Sequence, residues 1–404
     1  MRPTGRLHIG HYFGALQNWV KLQSDPNYEC FYFVADWHAL TSDYADTSAI
    51  AENSLQNTID FLASGLDPAR STIFLQSQIP EHAELYLLLG MVTPLGELER
   101  VPTYKEQLEN ISDKDLHTFG FLGYPVLQTA DIVMYGAPQS KLMVPVGEDQ
   151  VSHVEVSRRI VQAFNFHYGL QAASTELSRV SNDIRVAVLR KLGIENTKSF
   201  NLLDLEIAAH KRSKKIGQQN FLDEMGDYAY LFQLREILQL PDALLTPTPR
   251  IPGLDGRKMS KSYNNAITLS ESDDDIRKKT KVMVTDPARK RRTDPGNPDI
   301  CPVYDWHKLF STPERDPGRL DWVRKGCTTA GIGCIECKSA MAENLIKWIA
   351  PVREKRLDYE AHPKKALEIL DQGSAKARKS AQQTIDRVRE AIFHWPQKRA
   401  ELSS

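Results

Sequence analysis

Three short apolar runs rich in β-type residues constrain the fold most: Cys30-Phe-Tyr-Phe-Val-Ala-Asp36, Ser71-Thr-Ile-Phe-Leu-Gln-Ser77 and Leu142-Met-Val-Pro-Val-Gly-Glu-Asp149. Stretches of helical spacing separate them, and strands spaced by helices imply a parallel sheet, here expected as an open, doubly wound α/β domain over 1–168. Each run ends in polar residues. In such a sheet ligands lie beyond the carboxyl ends of the strands, so Asp36, Gln76 and Gly147 to Gln150 are expected to line one cleft.

From Gly169 the pattern changes to amphipathic helical segments, Asn-Asp-Ile-Arg-Val-Ala-Val-Leu-Arg-Lys-Leu-Gly-Ile and Met-Gly-Asp-Tyr-Ala-Tyr-Leu-Phe-Gln-Leu-Arg-Glu-Ile-Leu-Gln-Leu, flanking a basic run at 210–215. They predict a helical insertion over 169–245. A proline-rich stretch at 246–253 opens a lysine-loop region, 246–275, and 276–404 reads as a second helical domain, interrupted at Gln372-Gly373 before a last helix to about Phe393. At 404 residues the chain can carry two or three domains, and its net charge of −1 means that any nucleic-acid partner must be met by local basic patches. No apolar run approaches the roughly 18 residues needed to cross a bilayer, and the N-terminus lacks a signal peptide's apolar segment, so the cytoplasm is the expected location.

The segment Pro3-Thr4-Gly5-Arg6-Leu7-His8-Ile9-Gly10-His11 places a glycine turn before a helix whose apolar positions are Ile9, Phe13, Leu16 and Val20. A helix start offers backbone donors to a phosphate, Gly10 leaves room for a purine, and two histidines can donate to charge developing on phosphorus. Far downstream, Gly253-Leu-Asp-Gly-Arg-Lys258-Met259-Ser260-Lys261-Ser262 sets two lysines three residues apart, so that both can reach one polyphosphate. Alone, the first string is also compatible with surface histidines, and the composition of the second favours a solvated basic loop.

Together, His8 to His11 spells HIGH and Lys258 to Ser262 spells KMSKS, the paired signatures of the class I aminoacyl-tRNA synthetases. The chain is most similar to the tryptophanyl branch, through Tyr124-Pro-Val-Leu-Gln-Thr-Ala-Asp131-Ile, Val146-Gly-Glu-Asp-Gln150, Thr93-Pro-Leu-Gly-Glu-Leu-Glu-Arg100 and Arg292-Thr-Asp-Pro-Gly-Asn-Pro298. That resemblance implies a Rossmann-like catalytic domain and an α-helical C-terminal anticodon-binding domain. It also implies an enzyme that activates L-tryptophan with ATP and Mg2+ and transfers it to tRNA(Trp), working as a homodimer. The family pattern has a β-strand and a Ser-Gly ahead of Arg2-Pro3-Thr4, where this sequence begins inside the motif, and the stretch 169–241 is not covered by the resemblance.

By the same resemblance, ATP would be held by Thr4, Gly5, His8, Gly10, His11, Gly147, Asp149, Lys258, Met259, Ser260 and Lys261, with His8, His11, Lys258 and Lys261 as the catalytic groups. Asp131 would accept the indole N–H; Tyr124, Gln128 and Gln150 would hold the rest of tryptophan, and His38, after Asp36-Trp37, would wall the pocket. Physical chemistry agrees with that casting: a buried acceptor that phenylalanine leaves unpaired rejects it by several kcal/mol. The competing readings are a helix N-cap for Asp131 and a core histidine for His38. A carboxylate nucleophile needs no general base at neutral pH, so catalysis of adenylate formation rests on positioning and charge stabilisation.

Cys301, Cys327, Cys334 and Cys337 are spaced C-x25-C-x6-C-x2-C around a glycine-containing loop, while Cys30 stands apart. Four thiolates suit a 4Fe-4S cluster or tetrahedral zinc. The resemblance is to tryptophanyl enzymes carrying a 4Fe-4S cluster, with Zn2+ and unliganded thiols as the alternatives. Arg289-Lys-Arg-Arg292 and Lys376, Arg378 and Lys379 are candidate contacts to the tRNA backbone. Three rivals remain: a tyrosyl-tRNA synthetase with the same two signatures, a small-molecule nucleotidyltransferase with a similar His-x-Gly-His loop, and a non-catalytic paralogue, for which broken motifs are expected.

Overall fold

Aromatic and β-branched residues fill Cys30–Val34 and Ser71–Leu75, which form strands β1 and β2 of the computed structural model. The two pair in parallel, with Cys30 opposite Ser71 and Val34 opposite Leu75. A parallel pair needs a crossover, and the helix Ile50–Ala63 lies between them in sequence, its last turns entirely buried. The structure describes residues 1–101, 104–105, 116–194, 202–246, 251–261, 263–395, 398–399 and 402.

The chain divides into two units. The first holds 1–39, 43–75 and 246–374. Its core joins Leu7, Ile9, Phe13 and Leu16 of the opening segment to Met259, Ile267, Trp306, Phe310 and Leu345 from far downstream. Phe13 stacks on Trp348 at 5.2 Å, so the first helix lies against the long helix Cys334–Ala361.

The second unit holds 40–42, 76–245 and 375–404. Here β3 (Leu142–Val146) leads through the helix Val151–Tyr168 to β4 (Leu170–Ala172). Strand β5 (Phe232–Leu234) returns antiparallel to β4, and β6 (Pro241–Leu245) pairs in parallel with β3. The expected strands are therefore present, in a Rossmann-like α/β fold with a helical C-terminal region.

Two expectations need correction. The insertion is not wholly helical: Asn182–Lys191 is a helix, but the periodic stretch from Met225 becomes a 3-10 turn at Gly226–Leu231 and then β5. Pairing with β4 and burial of Phe232 against Leu170, Leu189 and Phe221 override its helical spacing. Nor does Gly373 break the C-terminal helix, which runs unbroken over Pro363–Phe393. Glycine is there for close approach, since an added Cβ would fall 1.8 Å from the Ile73 carbonyl oxygen of β2. No helix among the described residues is long and apolar enough to cross a membrane.

Candidate active site

The two signature strings meet in the first unit. Leu7, Ile9 and Thr268 bring the opening segment alongside the residues that follow the lysine loop: the Ile9 N–H donates to Ile267 O at 3.0 Å, and Leu269 N–H to Leu7 O at 2.8 Å. Met259 is buried against this junction, which pins the loop while Lys258 stays exposed. Lys261 reaches back so that its Nζ lies 3.3 Å from Thr4 O. Gly5, at φ +111°, makes that approach possible, because an added Cβ would meet the same Nζ at 3.3 Å.

His8 and His11 stack with ring centroids 3.6 Å apart. A Cβ at Gly10 would stand 2.9 Å from the His8 ring, so glycine is what admits the stack. The His8 backbone N–H donates to His11 Nδ1 at 3.1 Å, which puts the proton of a neutral His11 on Nε2, available to donate. Burial, then the nearby Lys261 ammonium, lower His8 to about 4; burial, His8 and Lys261 lower His11 to about 2. Both rings are therefore neutral donors at physiological pH. Beneath them, Asp60 accepts the Leu7 N–H at 2.8 Å and is ion-paired to Arg356 of the helix Cys334–Ala361, with both side chains fully buried.

In the second unit Asp131 sits inside the helix Tyr124–Val133 and is not its N-cap. Gln76, which follows β2, donates from Nε2 to Asp131 Oδ1 and Oδ2 at 2.7 and 2.8 Å. His82 Nδ1 is 2.5 Å from Asp131 Oδ1, and its Nε2 is 2.6 Å from the Tyr135 hydroxyl. Tyr124 and Gln128 lie half-buried on the same helix, Tyr124 between the rings of Phe121 and His153. Gly147 and Gln150 bracket a 3-10 turn after β3. His38 belongs to the first unit, half-buried on the helix Asp36–Asp43. The side chain of Asp149 and all of Ser262 lie outside the described residues.

The four late cysteines converge in the first unit from three helices. Cys301 precedes Pro302–Phe310, Cys327 ends Arg319–Thr328, and Cys334 and Cys337 open Cys334–Ala361. Burial and the proximity of Cys301, Cys327 and Cys334 push the Cys337 thiol up to about 12, a mutual disfavouring of thiolates that a cation would relieve. All four are free thiols, and among the described residues no three His, Cys, Asp or Glu side chains stand at metal-binding spacing. The four thiols are soft donors of the type a thiolate-bound centre uses, but they do not stand at the spacing such a centre needs. Arg289, expected on the RNA-facing surface, is instead buried: its guanidinium holds the Ile332 and Arg292 carbonyls and lies 3.9 Å from Cys327 Sγ. Lys290, Arg291 and Arg292 remain exposed.

Sequence reasoning missed His82, Tyr135, Asp60 and Arg356: His82 meets Asp131 and Tyr135 across 49 and 53 positions, and Asp60 meets Arg356 across 296. Only Asp60, a carboxylate within an otherwise apolar Ile-Asp-Phe-Leu run, left a readable signal.

Known proteins are similar to this chain over nearly its whole length. The family model for class I tRNA synthetases of the W and Y type matches residues 1–178 and 216–350. The tryptophan–tRNA ligase of Ralstonia nicotianae is 45% identical over 97% of this chain and 96% of its own length. That of Thermotoga maritima is 41% identical over 97% of each. The crystal structure of the tryptophanyl-tRNA synthetase of Campylobacter jejuni with ADP and tryptophan superimposes with a TM-score of 0.71, at 29% identity, covering 97% of this chain and 98% of that one. The stretch that the family model leaves unmatched before residue 351, 179–215, is narrower than the 169–241 that the motifs left uncovered.

Proposed function

The chain belongs to the class I tryptophan–tRNA ligases, and from that membership we propose that the His8–His11 stack and Lys261 form its centre for ATP cleavage, with Asp131 as the reader of the indole N–H. The enzyme activates L-tryptophan with ATP, forming tryptophanyl-adenylate and diphosphate, and then transfers tryptophan to the 3′ end of tRNA(Trp). The observation that carries the proposed site is the reach of Lys261 across 257 positions to Thr4 and Gly5, beside the two neutral histidines.

In the first step the tryptophan carboxylate attacks the α-phosphorus in line and diphosphate leaves. His11 Nε2–H and the His8 ring donate to phosphate oxygens as charge develops, and Lys261 and Lys258 neutralise the leaving diphosphate. Mg2+ would supply further charge neutralisation when bound with ATP. Thr4, Gly5 and Gly10 shape the backbone around the nucleotide, Met259 and Ser260 hold the loop, and Gly147 and Asp149 complete the ATP contacts. Tyr124, Gln128, Gln150 and His38 position tryptophan. In the second step a hydroxyl of the terminal tRNA ribose, the 2′-OH by the resemblance, attacks the adenylate carbonyl and AMP leaves.

The test is ATP–pyrophosphate exchange with tryptophan, tyrosine and phenylalanine. Exchange with tryptophan alone is expected; exchange with tyrosine would return the tyrosyl reading. Asp131→Ala is expected to narrow the preference for tryptophan over phenylalanine about ten- to a hundredfold, the worth of one hydrogen bond to a charged acceptor. An unchanged ratio would remove Asp131 from the pocket.

The proposal extends to a thiolate centre at Cys301, Cys327, Cys334 and Cys337, a 4Fe-4S cluster or alternatively Zn2+, supported by the convergence of the four sulfurs. Bound there, it would supply a cross-link between three helices. Cys337→Ser should then lower metal content per chain and the thermal midpoint together; protein purified without oxygen that carries neither iron nor zinc would dismiss the centre. The same reading makes the enzyme a cytoplasmic homodimer, with Lys290, Arg291, Arg292, Lys376, Arg378 and Lys379, all exposed, as candidate contacts to the tRNA backbone.

A further inference from the structure

Asp131 can read an indole N–H only if its carboxylate is held in one orientation, and the second unit contains a device that does this. His82 is fully buried at the start of the helix Glu81–Gly90, and each of its ring nitrogens has a partner on the segment that carries Asp131. An ionised carboxylate has no proton to give, so the 2.5 Å contact requires His82 Nδ1–H to donate to Asp131 Oδ1. In the tautomer protonated at Nδ1 alone, Nε2 is bare and accepts from the Tyr135 hydroxyl, 2.6 Å away. The three groups thus form a one-directional chain, Tyr135 O–H to His82 Nε2 and His82 Nδ1–H to Asp131. Gln76 bridges the two carboxylate oxygens from another segment.

We propose that His82 is a specificity-positioning residue for the tryptophan reaction: clamped by Tyr135, it fixes the rotation of the Asp131 carboxylate that accepts the indole N–H. The proposal rests on the reading of Asp131 given above. His82 acts through Asp131 and does not touch the substrate. Asp131 lies in the last turn of the helix Tyr124–Val133 and Tyr135 just past its end, four positions on, so the imidazole spans a short gap between two near neighbours in sequence. Loss of the imidazole would leave Gln76 to hold the carboxylate without His82 and so loosen its orientation within the buried site. An asparagine amide reproduces the donor at the position of Nδ1 but offers Tyr135 no equivalent of Nε2.

The test compares Asp131→Ala, His82→Leu, His82→Asn and Tyr135→Phe in ATP–pyrophosphate exchange with tryptophan and phenylalanine. His82→Leu should raise KM for tryptophan about tenfold, the scale of one hydrogen bond to a charged group, with KM for ATP unchanged and the preference over phenylalanine narrowed. His82→Asn should recover most of that loss, and Tyr135→Phe should show a smaller loss of the same kind. A merely structural histidine would instead lower turnover with both amino acids in proportion, and the asparagine would not rescue it. That result overturns the proposal, as does an unchanged ratio in His82→Leu. If His82→Leu does not fold, Tyr135→Phe decides: a narrowed ratio supports the chain and an unchanged one sinks it. Asp131→Ala separates the layers, because a ratio unmoved there defeats the reading of Asp131 itself, whereas one moved there but not in the His82 variants defeats only the role of His82.

Discussion

Replacing Lys261 with alanine is expected to lower turnover in ATP–pyrophosphate exchange by about 10²-fold to 10³-fold, the loss typical when one preorganised donor to developing charge is removed. KM for tryptophan should stay close to that of the parent. The ammonium is half-buried at the Thr4 carbonyl, where burial lowers its pKa while Asp60 opposes the shift. A cation held there in a water-poor setting interacts more strongly with diphosphate as charge builds on the departing oxygen than with ground-state ATP. Lys258 shares the loop but is exposed, and Lys258→Ala should have the smaller effect. Initial rates across ATP concentrations at saturating tryptophan measure both. Turnover within about threefold of the parent, with only KM for ATP raised, would make Lys261 a ground-state binder and take the catalytic role from it.

The parts that were legible in the sequence share one property: their chemistry is local. The strings that hold His8, Gly10 and His11, and Met259 and Lys261, are contiguous, so the proposal that they meet the nucleotide could be framed from sequence directly. Strands β1, β2 and β3 stood out because their apolar runs were bounded by polar residues. What could not be read was contact at long range. Nothing near His82 in sequence says that Asp131 and Tyr135 will take both of its nitrogens, and Arg356 looks like any cation of a solvated helix until Asp60 meets it. The stretch after Gly226 misled because its helical spacing is genuine, while the partner strand β4 lies about sixty residues upstream. Gly373 misled because glycine serves helix breaking and close packing equally well, and only the Ile73 carbonyl distinguishes them.

The Asp60–Arg356 pair leads to the other large expectation. Arg356→Met should destabilise the protein by about 3–5 kcal/mol, since it leaves a carboxylate buried and uncompensated. Asp60→Leu combined with Arg356→Met removes both charges and should recover most of that stability, as paired apolar replacements of buried ions do. The double variant should nevertheless keep a raised KM for ATP, because the Leu7 N–H, one residue before the stacked histidines, has lost the carboxylate that holds it. Urea midpoints and exchange kinetics on the same three proteins separate the two effects. If ATP affinity recovers along with stability, the pair supports folding alone. The pH dependence offers an independent check. Burial pushes the Asp60 carboxyl up to about 6, against Arg356, the Leu7 N–H and Lys261. A folded value raised above the unfolded one of about 3.9 means that this group's contribution to stability is full below that pH and is lost as pH rises through about 6. Protonation also removes the ion pair that fixes the Leu7 segment, so ATP affinity should fall over the same window in which this group's contribution to stability grows. His8 and His11, lowered to about 4 and about 2, are still neutral around pH 6 where that limb begins, and Asp60→Asn should abolish its onset there.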